Sequence, residues 1–180
     1  MSITVLRIGH RYVRDDRVTM HLFLVARAFG ARGVIYTGQR DNAIDAEVTK
    51  ITEDWGGSFG VEYTESWETV VREWRKKGGD VIHLTMYGLP LQDVISKIRM
   101  SKNEKLVAVG GAKVPGLMYK MADWNVAVTS QPHSEIAALS VFLHEFYAGK
   151  ELSIGFQNSR LAIVPQANGK LVIKKSQARF

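Results

Sequence analysis

Arg7, Arg11, Arg14 and Arg17 crowd one short stretch near the N-terminus, with His10 and Tyr12 between them. Arginine carries a rigid fork of donors that matches the oxygens of phosphate and ribose. The stretch joins a short apolar run to an amphipathic helix, and a helix N-terminus itself favours an anion. A formal net charge of +6 points the same way, toward a polyanionic partner. Lys170, Lys174, Lys175 and Arg179 form a second basic group in the tail. Three other stretches offer groups to a small ligand: Leu84-Thr85-Met86-Tyr87-Gly88, Gly110-Gly111-Ala112-Lys113-Val114-Pro115, and Thr129-Ser130-Gln131-Pro132-His133 running on to Ser134-Glu135. Paired glycines let a ligand approach backbone groups closely. Pro132 stiffens its loop, Ser134 or the residue before it caps the next helix, and Glu135 suits the positive end of that helix.

Other chemistries are excluded or unsupported. The five histidines are His10, His21, His83, His133 and His144. No two have the spacing of a metal pair beside a carboxylate, so no metal is expected. His83 reads as a satisfied core group, His21 and His144 as helix-surface residues, and His10 and His133 as loop candidates. No Gly-x-Gly-x-x-Gly or P-loop is present, and no Ser-His-Asp or paired-carboxylate set stands out. With no cysteine, disulfides and thiolate-bound metals are ruled out. No apolar run nears the ~18 residues of a membrane span. The N-terminus lacks a signal-peptide layout, so a cytoplasmic protein is expected.

The elements that must position these loops alternate. Strands are expected at residues 3–8, 33–36, around 59–63, at 81–86, 106–109 and from 126 to 129. Helices are expected between them. One starts at Asp15 or Asp16, with Val18, Leu22, Val25, Ala26 and Phe29 on one face, and ends at Gly30. Another starts at Asp41 or Asn42, and a third is capped by Ser66 with Trp67 and Trp74 packed inward. Further helices follow at 91–98, 117–121 and from 135 to Gly149. Asn168-Gly169 between two apolar runs marks a hairpin over 161–174, with Pro165 arguing for an edge. The pattern predicts an α/β fold: a parallel sheet covered by helices on both faces. Residues 1–150 make the main domain, and 151–180 a β-hairpin extension of it. In such a sheet the three ligand-type loops fall on one edge and line one cleft.

Several runs carry a family resemblance: Leu6-Arg7-Ile8-Gly9-His10-Arg11 with Arg14-Asp15 and Arg17; His83-Leu84-Thr85-Met86-Tyr87-Gly88; Lys113-Val114-Pro115; and Asn125-Val126-Ala127 with Gln131-Pro132-His133-Ser134-Glu135. In order, over nearly the whole chain, these resemble the archaeal tRNA ribose 2′-O-methyltransferases that modify the T-loop cytidine 56, members of the SPOUT class. The resemblance implies S-adenosyl-L-methionine as methyl donor, tRNA as substrate, an obligate homodimer and a trefoil knot near the C-terminus. Nothing in the periodicity shows a knot. It also implies that the cofactor is held by Leu84, by Gly110, Gly111, Ala112, Lys113 and Val114, and by Val128, Thr129, Ser130, Gln131, Pro132, His133, Ser134 and Glu135. Arg7, His10 and Arg11 are expected to meet the RNA. Related enzymes place a catalytic arginine five residues before a Phe-Gly or Val-Gly pair. Leu24 has that place here, before Phe29-Gly30, and Arg17 lies about two turns earlier on the same helical face. Arg17 and Arg14 are the candidates. The alternative is a basic α/β module that binds RNA or a nucleoside without chemistry.

Overall fold

The computed structural model describes residues 2–111 and 113–175; Ala112 and Arg179, named above, lie outside the described residues. The elements run β1 (Ile3–His10), α1 (Asp16–Ala28), β2 (Gly33–Gly38), α2 (Asn42–Trp55), β3 (Gly60–Tyr63), α3 (Trp67–Lys76), β4 (Asp80–Pro90), α4 (Leu91–Met100), β5 (Lys105–Gly110), α5 (Gly116–Met121), β6 (Trp124–Ala127) and α6 (Glu135–Tyr147). A 3₁₀ turn at Lys150–Ser153 follows, then β7 (Leu161–Val164) and β8 (Leu171–Lys174). Six strands form one sheet in the order β3-β2-β1-β5-β4-β6, every neighbouring pair parallel.

The strands read as continuous apolar runs because both faces are covered. In β5, Val107 and Val109 join a core with α1, α2, α4 and α6, while Leu106 and Ala108 join a second core with Trp67 and Val71 of α3 and Met118 of α5. β1 sorts the same way, with Ile3 and Val5 on the α6 side and Leu6 and Ile8 on the α3 side. Trp67 is buried and Trp74 packs beside it, as core packing requires.

Side-chain caps set the starts of α2, α3 and α6. Asp41 accepts from Ala43 and Ile44 N–H, Ser66 from Thr69 N–H, and Ser134 from Ile136 N–H. Asp15 stands at the start of α1 but makes no cap hydrogen bond, because its carboxylate is taken by Arg11. Several strand boundaries differ from expectation, three of them near the site. β1 continues through Gly9 to His10, and β4 continues to Pro90. β6 stops at Ala127, leaving Val128 and Thr129 outside the sheet. The β4 extension is a detour: Leu84 pairs with Val126, residues 85–88 leave the ladder, and Leu89 returns to the same Val126.

The hairpin β7–β8 is antiparallel and separate from the main sheet. It is tied back to α2, where Gly57 N–H donates to Gln157 C=O at 2.8 Å and Arg160 pairs with Glu53. Arg27 also stacks over the Phe156 ring.

Candidate functional site

The C-terminal ends of β4, β5 and β6 meet in one cleft. It is lined by His83 to Tyr87 of β4, Val109 and Gly110 of β5, Gly111 and Val114 just after that strand, Tyr119 of α5, and His133, Glu135 and Ala138 around the start of α6. Of the expected cofactor residues, Leu84, Gly110, Gly111, Val114, His133 and Glu135 line it. Val128 is half-buried and packs on the main core, whereas Thr129, Ser130, Gln131, Pro132 and Ser134 are exposed in the β6–α6 connection and do not line the cleft. A second cleft abuts the first. Ile8, Gly9, Arg11, Arg14, Gly111 and Lys113 line it, so Gly111 belongs to both. Gly110 has no room for a side chain, since a Cβ there would overlap Val114.

The basic stretch divides once it is folded. Arg7 and His10 lie in β1 and are buried, each about 1% exposed, so neither stands on the surface where an RNA contact was expected. Strand alternation sends Arg7 toward α6, where its Nη2 meets Glu135 Oε1 at 3.2 Å; its Nε and Nη1 are buried without a hydrogen-bond partner among the described residues. Burial holds the Arg7 pKa below the usual guanidinium value, opposed by the carboxylates of Glu135 and Asp15. The Arg7 fork lies behind Gly111, with both Nη atoms within 4 Å of where a Cβ would stand. His10 is not in a loop. Its Nδ1 is 2.9 Å from Thr19 Oγ1, and Asp41 lies at 3.7 Å from Nε2.

Arg11, Arg14 and Arg17 are exposed. Arg11 is bidentate to Asp15, at 2.8 and 3.0 Å, and this contact is the leading reason that the Asp15 carboxyl titrates below its usual range. Arg14 lines the second cleft and forms no ion pair among the described residues; Arg17, the second residue of α1, does not line it.

His83 is buried as expected, but it also lines the first cleft, which its apolar strand context concealed. Asn125 fixes its state. Asn125 Nδ2 donates to Tyr119 C=O at 2.9 Å, so Oδ1 faces His83 Nδ1 at 2.9 Å and that nitrogen carries the proton. Nε2 is left as a buried acceptor with no partner among the described residues. The Tyr119 ring meets His83 edge-on at 4.7 Å, and its hydroxyl lies 3.0 Å from Thr85 Oγ1. Tyr119 had no signal in the sequence, because only the packing of α5 brings it over β4.

Burial lowers the His83 pKa, with the Asn125 hydrogen bond opposing. A histidine kept neutral in the fold takes a proton more readily once unfolded. Stability is therefore complete above the ordinary histidine pKa of 6.5 and declines as pH falls below it. Denaturant midpoints measured from pH 7.5 to 5 should fall, and His83→Gln should flatten that fall; an unchanged slope would place the titrating group elsewhere.

No group of three or more His, Cys, Asp or Glu is placed to hold a metal among the described residues, and no helix among them is long and apolar enough to cross a membrane.

Comparison with known proteins identifies the family and the fold. Residues 55–173 match the family model described as tRNA ribose 2′-O-methyltransferase, aTrm56. A protein of Methanothermobacter thermautotrophicus named tRNA (cytidine(56)-2′-O)-methyltransferase is 48% identical over 172 residues, 96% of each chain. Among solved structures, the TrmH/SpoU tRNA modifying enzyme of A. aeolicus superposes with a TM-score of 0.61 at 12% identity, covering 83% of this chain and 76% of that one. The SpoU methyltransferase AviRb from Streptomyces viridochromogenes, in complex with AdoMet, superposes with a TM-score of 0.59 at 17% identity, covering 83% of this chain and 58% of that one. These two likenesses establish the fold.

Proposed function

Because the chain belongs to the aTrm56 family of tRNA ribose 2′-O-methyltransferases, we propose that it methylates the 2′-hydroxyl of cytidine 56 in tRNA, using S-adenosyl-L-methionine. The observation that carries this reading is the junction at Gly111, where a cleft with an acidic wall adjoins a cleft with a basic one. The first cleft fits the cofactor. Gly110 and Gly111 leave backbone groups open to an adenosine, Glu135 offers a carboxylate to a cation, and His83 keeps a buried acceptor unpartnered. When bound, S-adenosyl-L-methionine supplies a methyl group carried on a sulfonium.

The second cleft takes the RNA. Arg11, Arg14 and Lys113 grip phosphate and ribose and hold the hydroxyl against the shared wall at Gly111. Arginine stays protonated and so is no general base. A guanidinium beside the ribose instead stabilises the oxygen as its proton passes to the tRNA's own phosphate or to solvent. Arg14 is assigned this role ahead of Arg17, because it lines the cleft.

The working unit is proposed to be a homodimer in the cytoplasm. Its support is the exposed apolar surface of the hairpin, Ile163, Leu171, Val172 and Ile173, since a lone hairpin is marginal in water. The proposal includes the trefoil knot, supported by a path that runs from β5 past β4 to β6 and returns through α6 to α1 and α4.

In vitro methylation of purified tRNA, with the product nucleotide mapped, tests the function. A ribose methyl on cytidine 56 is expected, together with a melting temperature raised by S-adenosyl-L-methionine and not by ATP. RNA binding with no methylation and no shift with the cofactor would favour the non-catalytic alternative.

A further inference from the structure

The wall between the two clefts contains an ion pair that the binding residues alone do not account for. Arg7 is nearly fully buried, and its one ion pair among the described residues is with Glu135. The pair is asymmetric with respect to the cofactor cleft. Glu135 lines that cleft, and its side chain is 26% exposed, whereas the Arg7 side chain is 1% exposed and lies behind it. Of the two charged groups, the carboxylate is the one that lines the cleft. The negative end of a nearly neutral pair therefore points at the ligand. Two strand-and-helix choices create this: the β1 alternation that turns Arg7 toward α6, and the Ser134 cap that starts α6 at Glu135.

We infer that the Arg7–Glu135 pair sets how strongly the cleft prefers the cationic sulfonium cofactor over its neutral, demethylated thioether product. The inference rests on the methyltransferase reading and deepens it. S-adenosyl-L-methionine and S-adenosyl-L-homocysteine share the adenosine, the amino group and the carboxylate. They differ by one methyl and the charge on sulfur. The ratio of their affinities therefore isolates the field at the sulfur from every other contact. Glu135 acts on that field directly. Arg7 is a positioning residue that holds the carboxylate in place and offsets part of its charge. After transfer the ligand has lost its positive charge, the carboxylate no longer attracts it at sulfur, and the product is easier to release.

Calorimetric titration of both ligands into the full-length protein at pH 7.5 tests this. Glu135→Gln keeps the shape and removes the charge. The affinity ratio should shift toward the thioether by about tenfold, the size of one charge–charge interaction at ~10 Å with an effective dielectric of ~20. Glu135→Asp should restore most of the wild-type ratio. Arg7→Lys should leave the ratio within about threefold of wild type, while Arg7→Met should shift it the opposite way from Glu135→Gln, toward the sulfonium. Melting curves identify a variant that has not folded; if Arg7→Met fails, the glutamate pair of variants and Arg7→Lys still decide. Equal changes in the two affinities for Glu135→Gln would overturn the inference and leave the pair a structural clamp. A wild-type protein that bound neither ligand would overturn the methyltransferase reading itself.

Discussion

Single-turnover methylation of tRNA by Arg14→Ala is expected to fall by about 10²–10³-fold, the usual loss when one donor to a developing oxyanion is removed. Cofactor affinity should hardly change, because Arg14 lines the second cleft and not the first. The loss should appear in turnover more than in tRNA binding, which marks an interaction made chiefly in the transition state. Arg17→Ala is the internal control. It removes another exposed guanidinium from the same stretch, but one outside the cleft lining, and should retain turnover to within about threefold. Arg11→Ala should differ from both: it lines the cleft while held by Asp15, so tRNA affinity should weaken and its salt slope flatten by ~0.7–0.9. A collapse of turnover in Arg17→Ala with near-normal Arg14→Ala would move the role to Arg17. Full activity in both would remove this stretch from the chemistry.

Gly88→Ala should have the largest effect on stability near the site. A Cβ at Gly88 would stand 2.5 Å from the backbone of Asn125 and Val126 in β6, just before the detour rejoins the ladder at Leu89. Backbone cannot move aside as a flexible side chain can, so the strands must separate. A loss of about 3 kcal/mol is expected, a drop of roughly 6–12 °C in melting temperature for a chain of this size. Cofactor affinity should fall with it, since Thr85, Met86 and Tyr87 of the detour line the first cleft. Gly116→Ala makes the same chemical change where a Cβ meets nothing within 4 Å. Its melting temperature should stay within about 2 °C of wild type. Similar drops for both would show that the collision at the ladder is not the cause.

The sequence disclosed the scaffold far better than the site's inner wall. Alternating strands and helices, and the caps Asp41, Ser66 and Ser134, are local signals, and each holds in the structure. The convergence of three loops followed from parallel topology, which places strand C-termini on one edge. Arg7 was legible as a basic residue but not as a buried one. Its partner Glu135 lies at the other end of the chain, and strand periodicity says which face a residue takes without saying what waits there. The burial of His83 is legible in its apolar strand, yet its place in the cleft depends on α5 laying Tyr119 across β4. The residue types of the third loop from Thr129 to Pro132 suit a ligand, but the lining comes instead from the turn into α6.

Val126 pairs with Leu84 and again with Leu89, so the loop between them stands with both feet on one residue. Such a loop has no loose end from which to fray. It opens only together with the edge strand β6, as one cooperative unit. The exposed Tyr87 thus rides on a segment held from both sides. A ligand arriving in the first cleft meets a wall that is already ordered there, and little conformational entropy remains to be lost at that wall on binding.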